Sequence, residues 1–147
     1  MTRRLLPLPP EKILDNFEVV NQYVKPAYDT GTGEHTWEQF VARLLVGSIK
    51  LWIGLDENGK LEGAATTEVI DFPGYRTVHL LTTSTQFNLL AYPEYHYAIE
   101  DEARLVGAKN IQFWGRKGWS KAIDKVTGQK GEKYNEVYRV FSMELKE

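Results

Sequence analysis

Leu80 to Tyr95 reads LLTTSTQFNLLAYPEY, and the fold turns on what this stretch is. Its left end continues an alternating run from Arg76 to Thr83, the pattern of a β-strand. Its right end opens a helix. Pro93 suits a first turn, and Tyr95, Ala98, Ile99, Ala103 and Val106 recur on one face until Gly107. KNIQFWG then gives a short strand centred on Ile111 and Phe113. Strand, helix and strand at this spacing make a βαβ unit with a parallel pair. In many α/β proteins a glycine-rich turn at such a junction holds a phosphate. This junction contains no glycine.

Upstream, a helix is expected from Pro9 or Pro10, with Ile13, Phe17, Val20 and Val24 on one face, ending at Lys25-Pro26. YDTGTGEH is a loop. A second helix starts at Thr36, an N-cap with Gln39 three residues on. Trp37, Phe40, Val41, Leu44 and Leu45 form its apolar stripe, and Gly47 stops it. The period then becomes two: Ile49, Leu51, Ile53 and Leu55 alternate with Lys50, Trp52 and Gly54. Asn58-Gly59 and Pro73-Gly74 mark turns on either side of a strand running from Leu61 to about Ile70. After β-strand KNIQFWG, a short helix carries Trp119, Ala122, Ile123 and Val126 on one side and ends at Gly128. NEVYRVFSMEL reads as a final strand. The order ααβββαβαβ predicts an α+β (mixed α/β) fold: one mostly antiparallel sheet with one parallel pair, covered by helices on both faces.

The chain has 147 residues, a length that suggests one domain spanning 1–147 and a core without staples. Net charge is −2 with both signs scattered, and the lysines and arginines between Lys109 and Lys133 are diluted by Asp124 and Glu132, so no nucleic-acid partner is expected. With no cysteine there is no disulfide, thiolate metal site or cysteine nucleophile, and the three histidines lack metal-ligand spacing. No apolar run is long enough for a membrane span, and MTRRLLPLPPEK is too broken by proline for a signal peptide. A cytosolic protein is expected, and a homodimer is left open.

Three stretches resemble the GCN5-related N-acetyltransferase (GNAT) superfamily, and more narrowly the small GNAT-like proteins of tailed bacteriophages. They are GEHTWEQFVARLLVGSIKLWIGLDENGKLEGAATTEVIDFPG, AIEDEARLVGAKNIQFWGRKGWSKAI and VYRVFSMEL, which together span most of Gly33 to Leu145. The resemblance implies an acyltransferase moving an acetyl group from acetyl-CoA to an amine. It implies a donor site in a V between the strand ending at Thr83 and the strand ending at Trp114. It also implies a Q/R-x-x-G-x-G/A loop whose amides bind the pyrophosphate. Here Gln86 opens that pattern, but Leu89 and Ala91 stand in the glycine places.

Carried onto this chain, the donor site would draw on Leu81, Thr82, Thr83, Ser84 and Thr85, with Arg116 and Trp119 of GRKGW at its mouth. The hydroxyls equally suit a polar strand end, Arg116 a solvated turn, and Trp119 a core anchor. Glu68, among Ala64, Thr66 and Ile70, is the base candidate, since apolar neighbours favour proton uptake by a carboxylate. His79 is the second, because imidazole titrates near neutrality. Each also reads as structural. His96 either meets an anion at the helix start or is exposed there. The family's acid is often a tyrosine on the helix after the fifth strand. That helix has none here; Tyr134 and Tyr138 lie on the following segment and Tyr75 and Tyr92 flank the cleft in sequence, none at the family's position, and Tyr138 is taken as the acid candidate. The competing readings are a non-catalytic GNAT-like module, for example a phage structural or host-interaction protein, and a small-ligand binder using the same cleft.

Overall fold

The computed structural model describes residues 2–31, 34–84, 89, 92–113, 123–137 and 141–146. Five strands form one sheet in the order β1-β2-β3-β4-β5. They are β1 (Arg4–Leu8), β2 (Lys50–Leu55), β3 (Leu61–Phe72), β4 (Tyr75–Thr83) and β5 (Asn110–Gln112). The first four run antiparallel to their neighbours, and β5 lies parallel to β4. The mixed sheet with its single parallel pair is the architecture expected from the sequence.

Edge strand β1 was not expected. Its sequence is interrupted by Pro7, which lacks an N–H, and a proline is tolerated where one side of a strand has no partner. Helix follows, as expected, but it does not stop at Lys25-Pro26. Short helical turns lead into α1 (Phe17–Val19), a π-helical segment (Val20–Val24) and α2 (Lys25–Tyr28). The wide turn hands the chain on so that Pro26 falls in the first turn of α2, where its missing N–H costs nothing. Helix α3 (Trp37–Val46) carries the full capping box. Thr36 Oγ1 accepts from the Gln39 amide at 3.1 Å, and Gln39 Oε1 accepts from the Thr36 amide at 3.0 Å. Gly47 closes α3 at φ 83°, a left-handed conformation that favours glycine.

Both faces of the sheet are covered. On one side Ile13, Val20, Val24, Phe40 and Leu44 of the N-terminal helices pack on Ile49, Leu51 and Ala64. On the other, Tyr95, Ile99 and Ala103 of α4 (Pro93–Leu105) pack on Trp52, Ala65, Val78 and Leu80. The strict alternation of β2 thus feeds two cores, not a core and a solvent face. Lys50 also ties β2 to α4, with its Nζ 2.6 Å from Glu102 Oε1.

Within the β4–α4 connection Leu89 is fully buried in the α4 core. A side chain on Gly63 would place its Cβ 2.8 Å from Leu89 Cδ1 and 2.9 Å from Ser84 Oγ. Glycine on β3 therefore lets this connection lie against the sheet. Gly63→Val is expected to lower stability by about 1–3 kcal/mol, the cost of overpacking, measured by urea unfolding with an unchanged m-value.

The final strand expected from NEVYRVFSMEL is not formed by its described residues. Residues 135–137 and 141–145 hold no regular structure and are exposed. The segment before them is drawn onto α4 through Tyr134 and Gln129. The short helix expected after GRKGW lies largely outside the described residues. Its Val126 is buried against α4.

Candidate functional site

The β4–β5 ladder is short. Among the described residues it pairs Thr77 with Asn110, Val78 with Ile111 and His79 with Gln112. Strand β4 continues to Thr83, so among the described residues Leu80 to Thr83 have no ladder partner on that side. At the same point β4 bulges. Thr66 pairs with Thr82 and Thr67 with Leu80, which leaves Leu81 as an extra residue between two rungs. A bulge bends its strand and re-aims its side chains.

Glu68 and His79 are directly opposed across β3 and β4. This pair lies on the face covered by α3, because Arg43 of α3 ion-pairs with Glu68 through Nη2 and Oε2. The same guanidinium reaches His35 Nε2 at 3.0 Å. The neighbours of Glu68 thus include a cation, not only the apolar residues expected. His79 is buried, and desolvation pushes its pKa below the ordinary histidine value, with a smaller opposing effect from the Glu34 carboxylate. The neutral imidazole is then the dominant form near pH 7, ready to take a proton.

The hydroxyls near the bulge are engaged within the sheet. Thr82 Oγ1 and Thr66 Oγ1 are 2.6 Å apart, and both residues are buried. Ser84 Oγ accepts from the Ala64 amide at 2.7 Å and donates to the Ala64 carbonyl at 3.0 Å. Thr83 is half-buried and pairs with Ala65. Thr85, Arg116, Trp119 and Tyr138 lie outside the described residues.

The start of α4 is held by a polar clamp. Tyr95 donates its hydroxyl to Glu62, which also accepts from Arg3 Nε at 2.9 Å, and the Arg3 guanidinium lies 3.9 Å from the Tyr92 ring centre. Burial, followed by the contact with Glu62, pushes the Tyr95 hydroxyl far above the ordinary phenol range. In the first turn, Pro93 has no N–H and Glu94 is acidic, while the Tyr95 amide donates to the Tyr92 carbonyl at 3.1 Å.

A second buried cluster went unread. His96 is buried, not exposed. Its Nδ1 lies 2.6 Å from Glu100 Oε2, and its Nε2 lies 2.7 Å from the Tyr134 hydroxyl. Glu100 Oε1 accepts from the Gln129 amide at 2.9 Å. An acceptor-only carboxylate places the imidazole proton on Nδ1, so Nε2 accepts from Tyr134. Burial, then the Glu100 charge, pushes the Tyr134 hydroxyl far above its ordinary value and keeps it protonated. The i,i+4 spacing of His96 and Glu100 was the available signal. Tyr134 joins them over a separation of 38 residues, which periodicity cannot show. Among the described residues, no group of acidic or histidine side chains could hold a metal ion, and no helix is long and apolar enough to cross a membrane.

No family model matches this chain, and no curated protein sequence matches it. Solved structures do. An aminoglycoside acetyltransferase from an uncultured soil metagenomic sample, in complex with sisomicin, superposes with a TM-score of 0.65 at 13% identity, covering 98% of this chain and 97% of that one. A GNAT family acetyltransferase from Staphylococcus aureus gives 0.59 at 14% identity, covering 99% of this chain and 100% of that one. Glucosamine-6-phosphate N-acetyltransferase from Arabidopsis thaliana gives 0.52 at 14% identity, covering 98% of this chain and 100% of that one. The chain has the fold of the GNAT acetyltransferases.

Proposed function

We propose that this chain is an N-acyltransferase that moves an acetyl group from acetyl-CoA to an amine. One observation carries the reading: among the described residues the β4–β5 ladder ends at His79, a buried histidine whose pKa is depressed. Bound acetyl-CoA supplies the activated acetyl group. Leu81, Thr82 and Thr83 present main chain along the open side of β4, where an extended, amide-bearing arm can bond as an added strand does. The chain fits the donor at this end. At the phosphate end the described residues fit less well, since the first turn of α4 brings Pro93 and Glu94. There the Ser84 hydroxyl is already spent on the Ala64 main chain, so the proposal rests on Thr85, Arg116 and Trp119, a guanidinium to pair with phosphate and an indole to stack.

His79 takes the proton of the incoming ammonium. Glu68, opposite it, holds the site's negative charge and is itself oriented by Arg43. Tyr138 is the proposed holder of the proton that the departing sulfur needs. The narrower likeness to phage-encoded relatives rests on the three quoted motifs and would place the protein in a host cytoplasm.

A second reading is a GNAT-fold module that has lost CoA, with a structural or host-interaction role. The acidic, proline-led start of α4 and the Glu68–Arg43 ion pair favour it. Thiol release from acetyl-CoA decides between them, screened against aminoglycosides, amino sugars and lysine peptides. Release that depends on one amine class supports the enzyme. Release no faster than the blank with every amine supports the module.

A further inference from the structure

Arg43 is mounted more firmly than an ion pair with Glu68 requires. It lies on α3, whose ends are fixed by the capping box and by Gly47. Its Nε donates to Ser48 Oγ at 3.3 Å, its Nη1 to His35 Nε2 at 3.0 Å, and its Nη2 to Glu68. Ser48 and His35 are held in turn. The Ser48 hydroxyl donates to the Arg43 carbonyl at 3.3 Å, and the His35 carbonyl accepts from the Tyr28 hydroxyl at 2.5 Å. Among the described residues these bonds use three of the five guanidinium N–H groups. One N–H on Nη1 and one on Nη2 are left over, on neighbouring nitrogens that suit the two oxygens of a single carboxylate. The Arg43 side chain is 39% exposed and that of Glu68 10% exposed, so the open side of the pair is the cation.

We propose that Arg43 binds a carboxylate of the acceptor, which makes the acceptor a free amino acid. The assignment rests on the acyltransferase reading and narrows its amine. Glu68 and His79 are direct cross-strand partners, with Cβ atoms roughly 5 Å apart, so a carboxylate held on Arg43 leaves the adjoining amino group within reach of the His79 ring. The Glu34 carboxylate acts on the charge at His79 and offers the ammonium a counter-ion before its proton leaves. The two ends of a zwitterion thus meet opposite charges. A diamine or a polycation would set its second charge against the guanidinium, and a plain amine would leave the guanidinium unused. In the transfer His79 takes the ammonium proton, and the amino nitrogen bonds to the acetyl carbon as the carbon–sulfur bond breaks. The second proton lost from nitrogen goes to sulfur, giving an N-acetyl amino acid and CoA.

Thiol release from acetyl-CoA by the full chain is the test, with a panel of amino acids, each run against its own amide. The wild type is expected to prefer at least one acid over its amide by about 10–100-fold in kcat/KM, the scale of a charged hydrogen bond, with the difference mainly in KM. Arg43→Gln should bring that ratio towards one, whatever its absolute rate. Arg43→Lys keeps the charge opposite Glu68 and loses the fork, so its ratio should fall in between. The wild-type comparison stands even where a variant fails to fold. Release with amides or plain amines as fast as with the acids overturns the assignment and keeps the acyltransferase. Release with no amine at all overturns the acyltransferase reading, and the His79 ring signals in nuclear magnetic resonance then judge the site alone. Shifts caused by an acid and not by its amide support a carboxylate site at Arg43, and no shift with any acid overturns it.

Discussion

Replacing His79 with alanine is expected to lower kcat for acetyl transfer by about 10²–10⁴-fold, the usual worth of a positioned general base. Binding of the acetyl donor should stay within a few-fold, because the donor is proposed to lie along main chain beyond His79. The pH profile makes the test specific. Burial lowers the His79 pKa from its ordinary 6.5, so the acid limb of kcat should have its midpoint below that value and should vanish in the variant. The same shift sets the sign for stability. As pH falls below 6.5, the unfolded chain takes up the proton before the folded one does, so this histidine's contribution favours unfolding. His79→Ala should flatten that part of the stability curve. An unchanged kcat in a folded variant would remove His79 from the reaction.

Glu100→Ala is expected to cost about 3–5 kcal/mol, the scale for removing one partner of a buried charged network. The carboxylate is buried and serves both the His96 ring and the Gln129 amide, and the Tyr134 hydroxyl depends in turn on His96. Glu100→Gln should lose clearly less. Its carbonyl can still accept from Gln129, and its amide can donate to a His96 ring whose proton has moved to Nε2. Urea unfolding of the two variants side by side gives the answer. Equal losses would mean that packing, not hydrogen bonding, holds residues 127–136 on α4.

Local chemistry was the legible part of the fold. Thr36, Gln39 and Gly47 bound α3, Asn58-Gly59 and Pro73-Gly74 fold the hairpins, and Gly107 ends α4, all as their residue types require. What stayed hidden depends on context. Pro7 argues against a strand until β1 is known to be an edge, and Pro26 argues against a helix until the wide turn before it is seen. His79 could be read as pointing away from Val78 and Leu80, but its burial comes from the helices above it. Arg43 reaches Glu68 over a separation of 25 residues, and no spacing rule links α3 to β3. The final strand expected from NEVYRVFSMEL has no ladder among its described residues.

Isothermal titration of the full chain with acetyl-CoA tests the central claim most directly, with CoA alone and a protein-free blank as controls. The account predicts saturable binding in the micromolar range, weakened by Arg116→Ala and little changed by His79→Ala. No heat and no thermal shift at millimolar acetyl-CoA would contradict it, and the open edge of β4 would then belong to a protein that keeps the fold of an acetyltransferase without its donor.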